Sequence, residues 1–321
     1  MKTIVERIYE NSLKYPERIA VICEDEQITY GEIWDKALKL SGYLKENGIS
    51  KGDKLIAQGV YSVWYVVACY AAHLCGAVFV PVDKNASDEA LDNIRGALDA
   101  SCIIAKQHMD TVRCSILYSE LEGICQKAVA PGYSFPDMEL CADIMFATGT
   151  TGTPKGVVLT HKNISVTALT RVHELDIRPD NIGITFVPLN HVAPMRELYL
   201  NGYNGSTMIF LDGILKVKKM FQYIEKYGVT SIYVPPSGIT VINQFSSKGL
   251  AVFADQIDYV YTASSSMNEP QQVYMRQSLP KSRLYFSYGT SENGTVSLHR
   301  YHRDMKDITW GGRPCEGVSV R

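Results

Sequence analysis

The amino-acid sequence predicts an α/β protein: two stacked α/β subdomains with mostly parallel sheets covered by helices, then the beginning of a small β subdomain. Three observations predict it. Short apolar runs such as LIAQ, AVFVPV, CIIA, TMIFL and IDYVY alternate with longer stretches of helical periodicity. The connections are short, which sets successive strands side by side with helices as crossovers. A chain of 321 residues is also long enough for two or more subdomains with sizeable cores.

Taken in order, Tyr30-Gly31-Glu32 opens a stretch with apolar residues at Ile33, Leu38, Leu40 and Leu44, and Gly48 falls where a helix stops. LIAQG at 55–59 is a short strand. The apolar run from Val63 to Val82 is interrupted by His73 and Gly76 and closes near Pro81, so it reads as a buried helix followed by a β-branched strand and not as a membrane span. Ser87-x-x-Ala90 begins another helix, and CIIA at 102–105 continues the strand series. Residues 106–140 are less regular, with Pro131, Gly132 and Pro136 marking loops. The alternation then resumes. DIMFA is a strand, followed by a Gly/Thr-rich loop and a helix from about Lys162, with further strands in IGITFVPL, TMIFL, VTSIYVPP, IDYVYTA and RLYFSYG. Helices separate these strands around Val217 to Tyr227, near Gly238 to Phe245 and from Pro270. The subdomains are expected at about 1–175 and 176–300, with the β subdomain starting at about 301–321. The pattern GGRPCEGVSVR reads as a turn entering a strand at Arg321, which points to a truncated piece or a split reading frame.

Composition excludes several classes. The formal charge of -2, from 32 basic and 34 acidic side chains, gives no basic face for nucleic acid. Cys23, Cys69, Cys75, Cys102, Cys114, Cys125, Cys141 and Cys315 lack close metal-ligand spacing and sit mostly in apolar stretches, as reduced buried thiols do. MKTIVERIYENS has neither a signal-peptide core nor transit-peptide composition, so a cytoplasmic protein with no transmembrane segment is expected.

The strongest chemical signal is Thr148-Gly149-Thr150-Thr151-Gly152-Thr153-Pro154-Lys155-Gly156, directly after DIMFA. Its glycines let backbone N–H groups converge on one concave spot, its threonine hydroxyls add donors, and Lys155 adds a cation. The set suits a polyphosphate, and a position between a buried strand and a helix is expected. It is not the P-loop of the usual triphosphatases, because Lys155 follows proline and not glycine. Three further segments follow strands: Pro188-Leu189-Asn190-His191, Thr262-Ala263-Ser264-Ser265-Ser266-Met267 and Tyr288-Gly289-Thr290-Ser291-Glu292. A lone histidine after a strand is more often structural, and Y-G-T-S-E alone is more often a surface turn.

Together, in this order and over nearly the whole chain, these segments resemble the adenylate-forming (AMP-binding) superfamily of acyl- and aryl-CoA ligases, luciferases and peptide-synthetase adenylation domains. The first is similar to its [ST]-G-[ST]-[ST]-G-x-P-K-G signature and the last to its Y-G-x-[TS]-E segment. The resemblance implies the large N-terminal domain of an acyl- or aryl-CoA synthetase, using ATP, Mg2+ and coenzyme A. It implies Lys155 and Glu292 as catalytic residues, with Glu292 on the metal. It implies nucleotide contacts from Thr148, Gly149, Thr150, Thr151, Gly152, Thr153 and Lys155, with Ser291 on the α-phosphate and Tyr288 on the base. Gly289, Thr290, Ser264 and Ser265 complete that set, although the family usually carries glycine or alanine at the two serines. His191 and Ala263 would line the substrate pocket, with Asn190 where the family has an aromatic residue.

The region lacks the F-D-x-S pattern of amino-acid-activating members, which favours a plain carboxylic acid. The family's ribose-binding T-G-D segment, hinge and lysine-bearing C-terminal domain are not in these 321 residues, so little activity is expected from this chain alone. Two alternatives stand beside the CoA ligase: an adenylation domain loading a carrier-protein thiol, and a non-catalytic nucleotide-binding derivative of the family.

Overall fold

Several helix starts are dictated locally. Thr3, Thr29 and Thr160 each accept a hydrogen bond from the N–H three residues on, and Glu6, Glu32 and Asn163 at those positions bond back, closing reciprocal capping boxes. A computed structural model of the chain describes residues 1–147, 155–301 and 312–320. The elements begin with α1 (Ile4–Lys14), β1 (Ile19–Cys23), β2 (Glu26–Thr29), α2 (Tyr30–Glu46), β3 (Lys54–Gln58), α3 (Val63–Cys75), β4 (Val78–Val82), α4 (Asp88–Leu98) and β5 (Cys102–Ala105). Next come β6 (Cys114–Leu117), α5 (Leu121–Lys127), β7 (Cys141–Ala147), β8 (Lys155–Thr160), α6 (His161–Glu174), β9 (Ile182–Thr185), α7 (Val192–Asn204) and β10 (Thr207–Phe210). The described chain finishes with α8 (Val217–Tyr227), β11 (Ser231–Tyr233), α9 (Pro236–Phe245), β12 (Tyr259–Thr262), α10 (Glu269–Ser278), β13 (Arg283–Thr290), β14 (Gly294–Tyr301) and β15 (Arg313–Pro314).

Two sheets form, mostly parallel, as α/β alternation requires. One runs β6-β5-β3-β4-β7-β8 and the other β15-β14-β13-β12-β11-β9-β10-β1-β2. Helix α3 is buried from Tyr65 to Cys75 and meets strands of both sheets, which is why its sequence is apolar all round. Among the described residues no helix is long and apolar enough to cross a membrane. All eight cysteines are free.

Three readings need correction or completion. The Gly/Thr-rich loop is followed by a strand, not a helix: β8 pairs antiparallel with β7, from Cys141↔Thr160 to Ala147↔Lys155. KGVVLT alternates exposed and buried positions there, a period-2 signal hidden by the loop in front of it. The strand read as IGITFVPL ends at Thr185; the chain then leaves the sheet towards Pro188, which has no N–H for a ladder. Finally, β1 and β2 join the sheet built mainly after residue 180, with β1 parallel to β10 at Val21↔Met208, so sheet membership interleaves along the sequence.

Candidate active site

Helix α7 organises the site. His191 precedes it without a side-chain cap bond, leaving the first-turn N–H groups open, and Pro194 is tolerated because it lies in that first turn. Val192, the first residue of α7, lines three adjoining cavities.

The first, of about 180 Å³, is polar and lies between α7, β11, the segment after β12, and the β13–β14 hairpin. Tyr233, Tyr261, Ala263, Ser264, Gly289 and Ser291 contribute to its wall, as do Arg171, Arg196 and Glu197. Arg171 donates through Nη2 to Glu197 Oε1 at 2.6 Å with both side chains buried, and its guanidinium lies 4.1 Å from the Tyr261 ring centroid. Arg196 donates through Nη2 to the carbonyls of Thr290 and Ser291, both at 2.9 Å. Burial draws the Arg196 pKa below the ordinary arginine value. Arginine nonetheless stays charged at any physiological pH.

The second cavity is larger, about 650 Å³, and is walled mainly by apolar residues such as Val82, Ile94, Phe146 and Val187, with Asp83 and His191 among them. It shares Val192, Ala193, Ser264 and Ser291 with the first, so the two are contiguous. The third, about 180 Å³, lies across Arg196 from the first and is lined by Lys162, Asn163, Tyr199 and Glu292, among others.

The Tyr288–Glu292 segment is the bulged end of a hairpin, with β13 and β14 shifting register between Tyr288 and Gly289. A Cβ at Gly289 would come within 2.1 Å of the Gly294 carbonyl oxygen, so only glycine fits. Glu292 is exposed and hydrogen-bonded by its own N–H and the Thr290 hydroxyl; with the Arg196 charge nearby, its carboxyl stays below 4.5. An ionised, exposed carboxylate at a strand end fits a magnesium ion. Ser264 holds φ at 89°, a strained value for a residue with a side chain, where the wall needs a sharp turn.

The structure thus brings together Ala263, Ser264, Gly289, Thr290 and Ser291 in the first cavity, His191 in the second and Glu292 in the third. Ser265 and Tyr288 are exposed and outside these walls, and Lys155 is exposed at the start of β8. Thr148, Gly149, Thr150, Thr151, Gly152 and Thr153 lie outside the described residues. Sequence reasoning missed Arg171, Arg196, Tyr233 and Tyr261, and made no functional claim for Asp83 and Glu197. A usable signal was the charged pair Arg196-Glu197 inside the otherwise apolar start of a buried helix.

One group of potential metal ligands also gathers: the ligand atoms of Cys69, His73 and Asp143 lie within 4.8 Å of one another, fully buried. They are already engaged with one another and with α7. His73 Nε2 lies 3.0 Å from Asp143 Oδ1, Tyr199 donates to Asp143 Oδ2 at 2.8 Å, and Cys69 Sγ is 3.4 Å from the Tyr199 hydroxyl. His161 packs edge-on against His73 with centroids 4.9 Å apart, and burial, followed by the electrostatic influence of the neighbouring His73 ring, lowers its pKa from 6.5 to about 3.

With this geometry in place, the chain was compared with known proteins. The statistical model of the family described as AMP-binding enzyme matches residues 8–321. Gramicidin S synthase 1 of Brevibacillus brevis is 27% identical over 245 residues, which is 74% of this chain and 22% of that protein. Feruloyl-CoA synthase of an Amycolatopsis species is 25% identical over 227 residues, covering 69% of this chain and 46% of that one. The chain therefore spans less than half the length of these relatives. In fold it is similar to the inhibitor-bound N-terminal domain of FACL13 from Mycobacterium tuberculosis, with TM-score 0.85, 22% identity, and coverage of 98% of this chain and 83% of that one.

Proposed function

The chain belongs to the AMP-binding enzyme family, and from that premise we propose that its site activates a carboxylic acid with ATP, ahead of transfer of the acyl group to the thiol of coenzyme A. In the first step a carboxylate oxygen attacks the α-phosphorus, the bond to the bridging oxygen breaks, and pyrophosphate leaves. One observation carries the reading. Ser291 at the hairpin end, Ser264 after β12, and Val192 and Ala193 at the uncapped start of α7 line both cavities, where acid and α-phosphate can lie side by side.

The residues then act chiefly by positioning. Ser291 would hold the α-phosphate, Tyr288 would stack on adenine, and His191 would border the acid. The open N–H groups of α7 favour negative charge at their end. Lys155, together with the Thr148–Thr153 loop, would offset the charge of the departing pyrophosphate. Glu292 would hold Mg2+, which when bound neutralises phosphate charge. Arg196, by fixing the Thr290 and Ser291 carbonyls, holds the hairpin end in register with α7.

The test is calorimetry of the chain with non-hydrolysable acyl-sulfamoyl-adenosine conjugates. Binding is expected, with Tyr288→Ala weakening it about tenfold through lost base stacking. Absence of binding to any conjugate by folded protein overturns the proposal. Transfer to a carrier-protein thiol is the second reading, favoured by the likeness to gramicidin S synthase 1. Acyl transfer to a carrier protein but not to coenzyme A would select it.

A further inference from the structure

We propose, resting on the adenylation reading above, that the acid taken by this site is a short dicarboxylic acid whose far carboxylate is held in the small polar cavity by the Arg196 guanidinium and the Tyr233 hydroxyl. The cavity carries an unbalanced positive charge. The charged side chains in its wall are Arg171 from α6 and Arg196 and Glu197 from α7. Glu197 is committed to Arg171 at 2.6 Å, and Glu292 lies beyond Arg196, exposed in the neighbouring cavity. Arg196 makes no ion pair among the described residues. Its partners are two neutral main-chain carbonyls, both taken by Nη2, and its Nε and Nη1 make no hydrogen bond among those residues. Arg196 is half-buried, with the exposed Glu292 as a nearby opposite charge, and its Nε and Nη1 remain open to a carboxylate, whose planar acceptor pair matches the guanidinium fork.

A second, independent observation points the same way. Tyr233 is 4% exposed and its hydroxyl has only the Ser264 side chain beside it, without a well-formed hydrogen bond; the buried Nε of Arg171 is unpartnered among the described residues. Both residues line this cavity. Unpaired donors in one small space are satisfied by an acceptor-rich ligand end and left unsatisfied by an alkyl one. Size agrees: about 180 Å³ suits a short acid, whereas a long chain would have to enter the apolar cavity of about 650 Å³ next to it. The acid's reacting carboxylate would then sit at the shared wall by Ser264 and Ser291.

The experiment is calorimetry of residues 1–321 with sulfamoyl-adenosine conjugates of succinic, butanoic and dodecanoic acids. The succinyl conjugate is expected to bind roughly tenfold to a hundredfold tighter than the butanoyl one, as one buried charge-assisted contact provides. That advantage should fall to about twofold or less in Arg196→Met, stay partly in Arg196→Lys, and shrink several-fold in Tyr233→Phe. The lysine and phenylalanine variants keep the test decisive if Arg196→Met does not fold. Butanoyl or dodecanoyl binding that equals or exceeds succinyl binding overturns the inference while leaving adenylation standing. An advantage that survives all three substitutions overturns it equally. Binding of none of the conjugates removes the adenylation reading itself.

Discussion

Helix α7 carries two polar regions three residues apart, one buried at Tyr199 and one half-buried at Arg196, and they have opposite characters. At Tyr199 it joins a network in which both carboxylate oxygens of Asp143 are taken, by His73 and Tyr199, while His73 Nδ1 has no partner among the described residues, and none of Cys69, His73 and Asp143 reaches solvent. At Arg196 it faces cavities, and the guanidinium meets only neutral carbonyls. A carboxylate with both oxygens bonded and no route to solvent is part of the frame; a half-buried guanidinium with free nitrogens facing cavities is open to a ligand. The two lie on one helix, so a defect in the frame would shift the pocket.

The sharpest way to break this contrast is Asp143→Ala. It strips the acceptor from His73 and Tyr199 and should cost about 3–5 kcal/mol in urea unfolding. A loss below about 1 kcal/mol would mean that the network is not the frame. An effect of similar size is expected in acid. His161 has its pKa lowered from 6.5 to about 3, so below 6.5 the unfolded chain takes up a proton that the folded chain refuses. Stability should therefore fall as pH drops from 6.5 towards 3, by up to about 1.4 kcal/mol per unit from this group. Unfolding curves for His161→Gln should show a flatter decline over that window. Ser264→Gly should stabilise by about 1–2 kcal/mol, since the φ of 89° strains any residue with a Cβ. The smallest change is expected at the open region: Arg196→Met should alter stability by about 1 kcal/mol or less, because it removes a half-buried charge along with two hydrogen bonds. A loss as large as that of Asp143→Ala would erase the distinction between frame and pocket.

What could be read from the sequence follows from range. The β-branched runs and the capped helices state their structure locally, so AVFVPV, CIIA and the helix over Val217 to Tyr227 were legible as elements. The Y-G-T-S-E segment stood out only through its resemblance to the family's segment, and the carbonyl that forces its glycine shows only in the fold. Strand β1 was not, because its role depends on β10, far along the chain. Nor was the cavity charge. Arg171 and Glu197 neutralise each other across 26 positions, and only their pairing reveals that Arg196 is left over. Ser264 and Ser265 stood out as departures from glycine or alanine, but the strain at the first appears only in its backbone angle.

The interleaving of the two sheets has a consequence for synthesis. The Thr207 hydroxyl donates to the Ile19 carbonyl across a separation of 188 residues, where β1 meets β10. At about 5–20 residues per second, β1 waits roughly 10–40 s on the ribosome before its parallel neighbour is made. Until then IAVIC presents an unpaired apolar edge, held only by its hairpin with β2. Strand β1 is thus enclosed only when β10 emerges, and its edge is most exposed to misassociation until residue 210 has been made.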